Sequence, residues 1–172
     1  MEDNINCIES ELELIIQNIL NEEGILKDKI EDENANFHYI IEYPKGNAID
    51  LIQPKGKDDF LILGCATEIS SDQRQLIKAT DAKTRQELNW NIRFIINDFL
   101  MDFELYHPDD ILEKFVIIDE IYTDGLTKDR LISTIKKIFK VKLRCIWILG
   151  RTFSLNSNYQ PKEENPKDNM FI

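Results

Sequence analysis

The sequence predicts an α+β fold: an antiparallel sheet of about five strands packed against helices, in the order α-βββ-α(α)-ββ-α. Three observations carry that expectation. Apolar residues near the start recur at helical steps, three strand-like segments then follow one another with only turns between them, and a second pair of strand-like segments precedes a long helical pattern. Strands joined by short turns pair antiparallel, because a parallel pair needs a long crossover connection.

Ile5, Ile8, Leu12, Ile15, Ile16, Ile19 and Leu20 repeat at steps of three and four, which gathers them on one face of an opening helix. Gly24 suits a left-handed stop to that helix. Phe37, Tyr39, Ile41 and Tyr43 alternate with His38, Ile40 and Glu42, the period of two of a strand with one favoured face, and Pro44 and Gly46 close it in a turn. Residues 49–53 make a second strand, ended by Pro54-Lys55-Gly56-Lys57. Residues 60–69 make a third, so nearly continuous in apolar side chains that it predicts a central strand covered on both faces.

Ser70 with Gln73, and Thr84 with Glu87, read as two capping boxes, so a short helix is followed by a longer one ending near Met101. Residues 103–106 form a brief strand cut off by Pro108 and Asp109-Asp110. Residues 115–122, β-branched and aromatic, end at Asp124-Gly125 and suit a hairpin with it. From Thr127 onward Leu131, Ile135, Ile138, Phe139, Ile146, Leu149 and Phe153 hold one helical face, although residues 142–149 also alternate as a strand would. Residues 154–172 hold two prolines and many Asn, Lys and Glu, a composition that does not form a core of its own. The expected organisation is a single domain over 1–153 with a polar tail over 154–172. Removing that tail is expected to leave the melting temperature nearly unchanged, unless Met170-Phe171-Ile172 docks in a groove.

At 172 residues, 42% hydrophobic and 31% charged, the chain has the length and composition of one globular domain. Its net charge of −11 repels phosphate backbones and disfavours nucleic acid as the main partner. Lys136, Lys137, Lys140, Lys142, Arg144 and Arg151 crowd one late segment and read as a solvated cationic helix face that offsets an acidic body. Cys7, Cys65 and Cys145 lie far apart, which provides no Cys-x-x-Cys pair for zinc or disulfide exchange and suits a reducing cytoplasm. The acidic residues of 1–10 differ from a secretory signal, and apolar runs such as 60–66 fall short of the roughly 20 residues of a membrane span.

Two classes of function follow. In the first, Asp50 on one strand and Glu68 near the end of the next hold a metal ion for a hydrolase or nuclease, as neighbouring-strand carboxylates do. The lysine that usually completes that set, two residues after the Glu, is replaced by Ser70. Asp119-Glu120 offers no such pair, because adjacent strand residues point to opposite faces; these two read as shields of a sheet edge. His38 and His107 stand in no catalytic motif and read as satisfied structural histidines. In the second class the protein binds another protein. Trp90, Phe94, Asn97 and Met101 form a stripe on the long middle helix, away from Ile92, Ile95 and Phe99, and Trp147 lies off the main stripe of the last helix. A helix apolar on two sides is covered on two sides, either by its own fold or by another chain; in this second class the cover is a second copy or a partner.

The strings Asp32-Glu33-Asn34-Ala35-Asn36-Phe37-His38-Tyr39, Ile52-Gln53-Pro54-Lys55-Gly56-Lys57 and Tyr122-Thr123-Asp124-Gly125-Leu126-Thr127-Lys128-Asp129-Arg130 resemble a largely archaeal family, DUF2299, over roughly 12–153. The resemblance implies a fold similar to type III secretion chaperones and YbjN-like proteins, which are small acidic cytosolic dimers that hold extended segments of partner proteins. It implies no catalytic, cofactor-binding or metal-binding residue. The expectation that results is a cytoplasmic homodimer of chaperone- or adaptor-like character that binds a protein or peptide and needs no cofactor.

Overall fold

A computed structural model of the chain describes residues 10–154. Helix α1 (Glu11–Glu22) is followed by strands β1 (Leu26–Ile30), β2 (Ala35–Glu42), β3 (Ala48–Pro54) and β4 (Phe60–Glu68). Helices α2 (Ser71–Ala79) and α3 (Ala82–Asp98) lead to β5 (Asp102–Tyr106), β6 (Lys114–Tyr122) and the closing helix α4 (Lys128–Ser154). The six strands form one antiparallel sheet in the order β1-β2-β3-β4-β6-β5. The expected α+β order is therefore the observed one, with one strand more than the pattern of apolar residues reveals.

That extra strand is β1. It reads Leu-Lys-Asp-Lys-Ile, lies at the sheet edge and buries none of its five side chains, so it carries no alternating apolar signal. Charges on an edge strand discourage pairing with foreign strands. The fold is pinned at four helix starts by side-chain caps: Ser10 accepts from the Glu13 amide, Ser70 from Gln73, Thr127 from Arg130 and Asp81 from Thr84. The last replaces the expected cap at Thr84: the Asp81 carboxylate accepts from both the amide and the hydroxyl of Thr84, which lies inside the first turn of α3. Residues 142–149 are helical, since Val141, Cys145 and Leu149 continue the buried stripe that Leu131, Ile135 and Ile138 begin.

The strand register shows that all buried strand side chains lie on one side of the sheet. Phe37, Tyr39 and Ile41 pair with Gln53, Leu51 and Ile49; Leu51 pairs with Leu63; Leu61 and Cys65 pair with Ile121 and Ile117. Helix α4 lies against β4 and β6 on that side, α3 packs on α4 and β5, and α1 packs by β1. Ile16 and Leu20 of α1 reach the core, whereas Ile15, expected in the same stripe, is exposed. A buried carboxylate ties α1 down: Glu13 accepts from the Tyr39 hydroxyl at 3.1 Å and pairs with Lys29 at 2.8 Å.

Two expectations change. Strand β4 is central, yet among the described residues helices cover only one of its faces. Strand β6 is no edge, because β5 lies outside it, so Asp119 is not an edge shield; it points under α4 and pairs with Lys137 at 2.9 Å. Ile5, Ile8, Cys7 and the tail from residue 155, including Met170-Phe171-Ile172, lie outside the described residues.

Candidate interaction surfaces

Helix α3 buries Leu88, Ile92, Ile95 and Ile96. At about 100° per residue, Trp90, Phe94 and Asn97 stand on the opposite side of its axis. Trp90 is 55% exposed and Phe94 58%, and their rings stack with centroids 5.7 Å apart and an interplanar angle of 28°. The Arg93 guanidinium lies 5.0 Å from the Trp90 ring centre, and its Nη2 approaches His107 Nε2 to 2.7 Å. The aromatic pair thus stacks on the solvent side of α3 with the Arg93 guanidinium over one ring. Asn97 is exposed beside it.

Met101 does not complete the stripe. The helix ends at Asp98, Leu100 turns the chain with φ 54°, and Met101 emerges into the core at 4% exposure. Helical spacing cannot be extrapolated past such a turn. Leu100 itself is 88% exposed and occupies a left-handed backbone position that ordinarily favours glycine. No periodicity marks it in the sequence. Trp147 is 62% exposed on the outward side of α4, next to the less exposed Ile146. The basic residues of α4 are spread over local partners: Lys137 on Asp119, Lys142 on the Asn47 amide oxygen, and Arg144 5.2 Å from the Phe99 ring centre.

Asp50 and Glu68 are not brought together. Asp50 pairs across the ladder with Gly64, and Glu68 lies four residues further along β4, roughly 13 Å away at the strand rise of about 3.3 Å per residue. Carboxylates that share a magnesium or manganese ion must both come within about 2.0–2.6 Å of it. Asp50 instead meets His38 Nε2 at 2.8 Å, while Asp32 meets His38 Nδ1 at 3.3 Å. Asp32 is held below the usual carboxylate range chiefly by the Asn34 backbone amide, with His38 adding to the effect. Among the described residues no group of three His, Cys, Asp or Glu side chains is arranged to hold a metal ion. Cys65 and Cys145 are buried free thiols; burial raises Cys65 and pushes Cys145 up to about 12, so neither supplies a thiolate near neutral pH.

The outward face of the sheet is the feature that sequence reasoning missed. Its rows read His38-Ile52-Ile62-Glu120 and Ile40-Asp50-Gly64-Ile118-Asp102 across the strands. None of these residues is buried.

The model of the Uncharacterized conserved protein (DUF2299) family matches residues 12–149. The chain belongs to the DUF2299 family. A crystal structure of an uncharacterized protein from Methanothermobacter thermautotrophicus is 44% identical, aligns with a TM-score of 0.81, and covers 83% of this DUF2299 chain and 99% of its own. The crystal structure of YbjN from E. coli is more distant, at 14% identity and a TM-score of 0.46 over 77% of this chain and 88% of that one. No curated protein matches the chain. No helix among the described residues is long and apolar enough to cross a membrane.

Proposed function

We propose that this DUF2299 protein is a homodimeric, cytoplasmic protein- or peptide-binding module of chaperone- or adaptor-like character rather than an enzyme. The observation that supports the reading is the stacked pair Trp90 and Phe94, more than half exposed and diametrically opposite the core side of α3. Large apolar rings at that position gain nothing from the protein's own core. Burying each against a second copy contributes about 1.5–3 kcal/mol before the costs of association. Rings that already stack on one another in the single chain lose less freedom on association. Asn97 extends the same outward side, and Trp147 on α4 offers a second aromatic anchor; both features suit a twofold contact or a partner.

Light scattering at tens of micromolar tests the reading. Wild type is expected to be a dimer and Phe94→Asp a folded monomer, since the substitution places a charge in a contact that excludes water and leaves Ile92 and Ile95 untouched. A monomeric wild type would defeat the dimer.

A further inference from the structure

The antiparallel rule for a sheet with helices on one side is apolar residues inward and polar residues outward. Here the outward positions carry Ile40, Ile52, Ile62, Val116 and Ile118, all half-buried by their strand neighbours and none covered by a helix among the described residues. In the middle of this apolar field sits Gly64, between Asp50 and Ile118. Its backbone lies outside the left-handed region, and a Cβ there would meet nothing within 4 Å. Neither conformation nor crowding inside this chain explains a glycine on a central strand, which weakens the strand. A close approach by another backbone does explain it.

Around the apolar field stand Glu42, Asp50, Glu68, Asp102, Glu104 and Glu120 on the same face, with Lys114 opposite Glu68 and Lys57 over the Phe60 ring at its margin. Glu42 is engaged by Lys27 and Asp50 by His38, which leaves the charge concentrated on the β4–β6–β5 side. A second copy laid face to face would set this acidic rim against itself. The chain's own terminal segments are also poorly matched: residues 1–9 carry Glu2, Asp3 and Glu9 with no lysine or arginine, and residues 155–172 balance Lys162 and Lys167 against Glu163, Glu164 and Asp168.

We infer that the uncovered face of the sheet is the docking surface for a basic amphipathic segment of a partner protein, whose apolar stripe lies over Ile52, Ile62 and Ile118 with its backbone closest at Gly64 and its lysines or arginines on the acidic rim. This rests on the protein-binding reading above and names the partner's chemistry. It is separable from the dimer, because it uses a different surface.

The test uses the full chain and a fluorescein-labelled helical peptide of about 18 leucines and lysines in amphipathic order, followed by anisotropy. Saturable binding is expected, with a marked loss when glutamates replace the peptide's lysines. Gly64→Val is expected to keep the native circular dichroism and melting temperature, since valine suits a strand and meets open space, yet to weaken the peptide by about tenfold or more. Phe94→Asp should bind the peptide as wild type does even where it abolishes the dimer. The inference is overturned if no saturable binding occurs, if the folded Gly64→Val protein binds unchanged, or if Phe94→Asp alone removes binding. It is equally overturned if Gly64→Val converts a dimer to monomer, which would make the second copy the occupant. Displacement of the probe by an unlabelled peptide of residues 155–172 would give the site to the chain's own end.

Discussion

Leu63 and Ile62 are consecutive residues of β4 whose side chains leave the sheet in opposite directions. Leu63 is fully buried beneath the helical layer, whereas Ile62 lies on a face where no residue is buried. Both are aliphatic and of equal size, so composition cannot tell them apart. The difference teaches that an unbroken apolar strand reports two surfaces wanting cover, and that the fold supplies only one of them from the described residues. The helix-covered face is a closed problem in packing, and the open face retains a demand that its own helices leave unmet.

Stability measurements sharpen this contrast. Leu63→Ala should cost about 2–5 kcal/mol in denaturant melts, because it removes side-chain volume from a packed core. The next effect is polar and on the same covered side. Glu13→Ala should cost about 1–3 kcal/mol, since it leaves the Tyr39 hydroxyl without the acceptor it uses at 3.1 Å. Ile62→Ala should cost less, about 1 kcal/mol or below, as partly exposed positions ordinarily do. Equal losses for Leu63→Ala and Ile62→Ala would break the comparison and mean that the outer face is covered in the isolated protein.

The smallest effect concerns thiol chemistry. With Cys7 replaced by serine, Cys65 and Cys145 should resist iodoacetamide in the native protein through the ordinary thiol range. The sign follows from their raised pKa values: the reactive thiolate of Cys145 gains population only as pH climbs toward about 12. Full reaction should follow unfolding in denaturant. Rapid native alkylation would show that the helix-covered layer opens readily.

Much of the fold was legible because burial on one side leaves a period. The alternation in Phe37, Tyr39 and Ile41 and the steps through Leu131, Ile135 and Ile138 are imprints of a single covering surface. Strand β1 left no imprint, since an edge strand with no buried side chain shows no alternating apolar pattern. Trp90 and Phe94 were visible as a second stripe because their spacing follows the helical repeat. Met101 falls outside that stripe because the helix ends at Asp98 and a positive φ at Leu100 redirects the chain. The open sheet face was hidden in plain aliphatic residues: Ile62 lies in a strand whose continuous apolar run predicts cover on both faces, and only the register assigns it a side.

The position of β6 between β4 and β5 also bears on how the chain reaches this structure. Strands β1 to β4 are a meander in which each pairs with its sequence neighbour, so their contacts close short loops. The ladder from Phe60 with Tyr122 to Glu68 with Lys114 joins segments separated by α2, α3 and β5. Closing that larger loop carries more entropy, and contacts of long sequence separation slow folding. The β4–β6 ladder is thus the long-range seam of the sheet, and it is expected to close after the β1–β4 meander. Pulsed amide exchange during refolding should protect β2 and β3 before β5 and β6, and simultaneous protection of all four would place the seam within the folding nucleus.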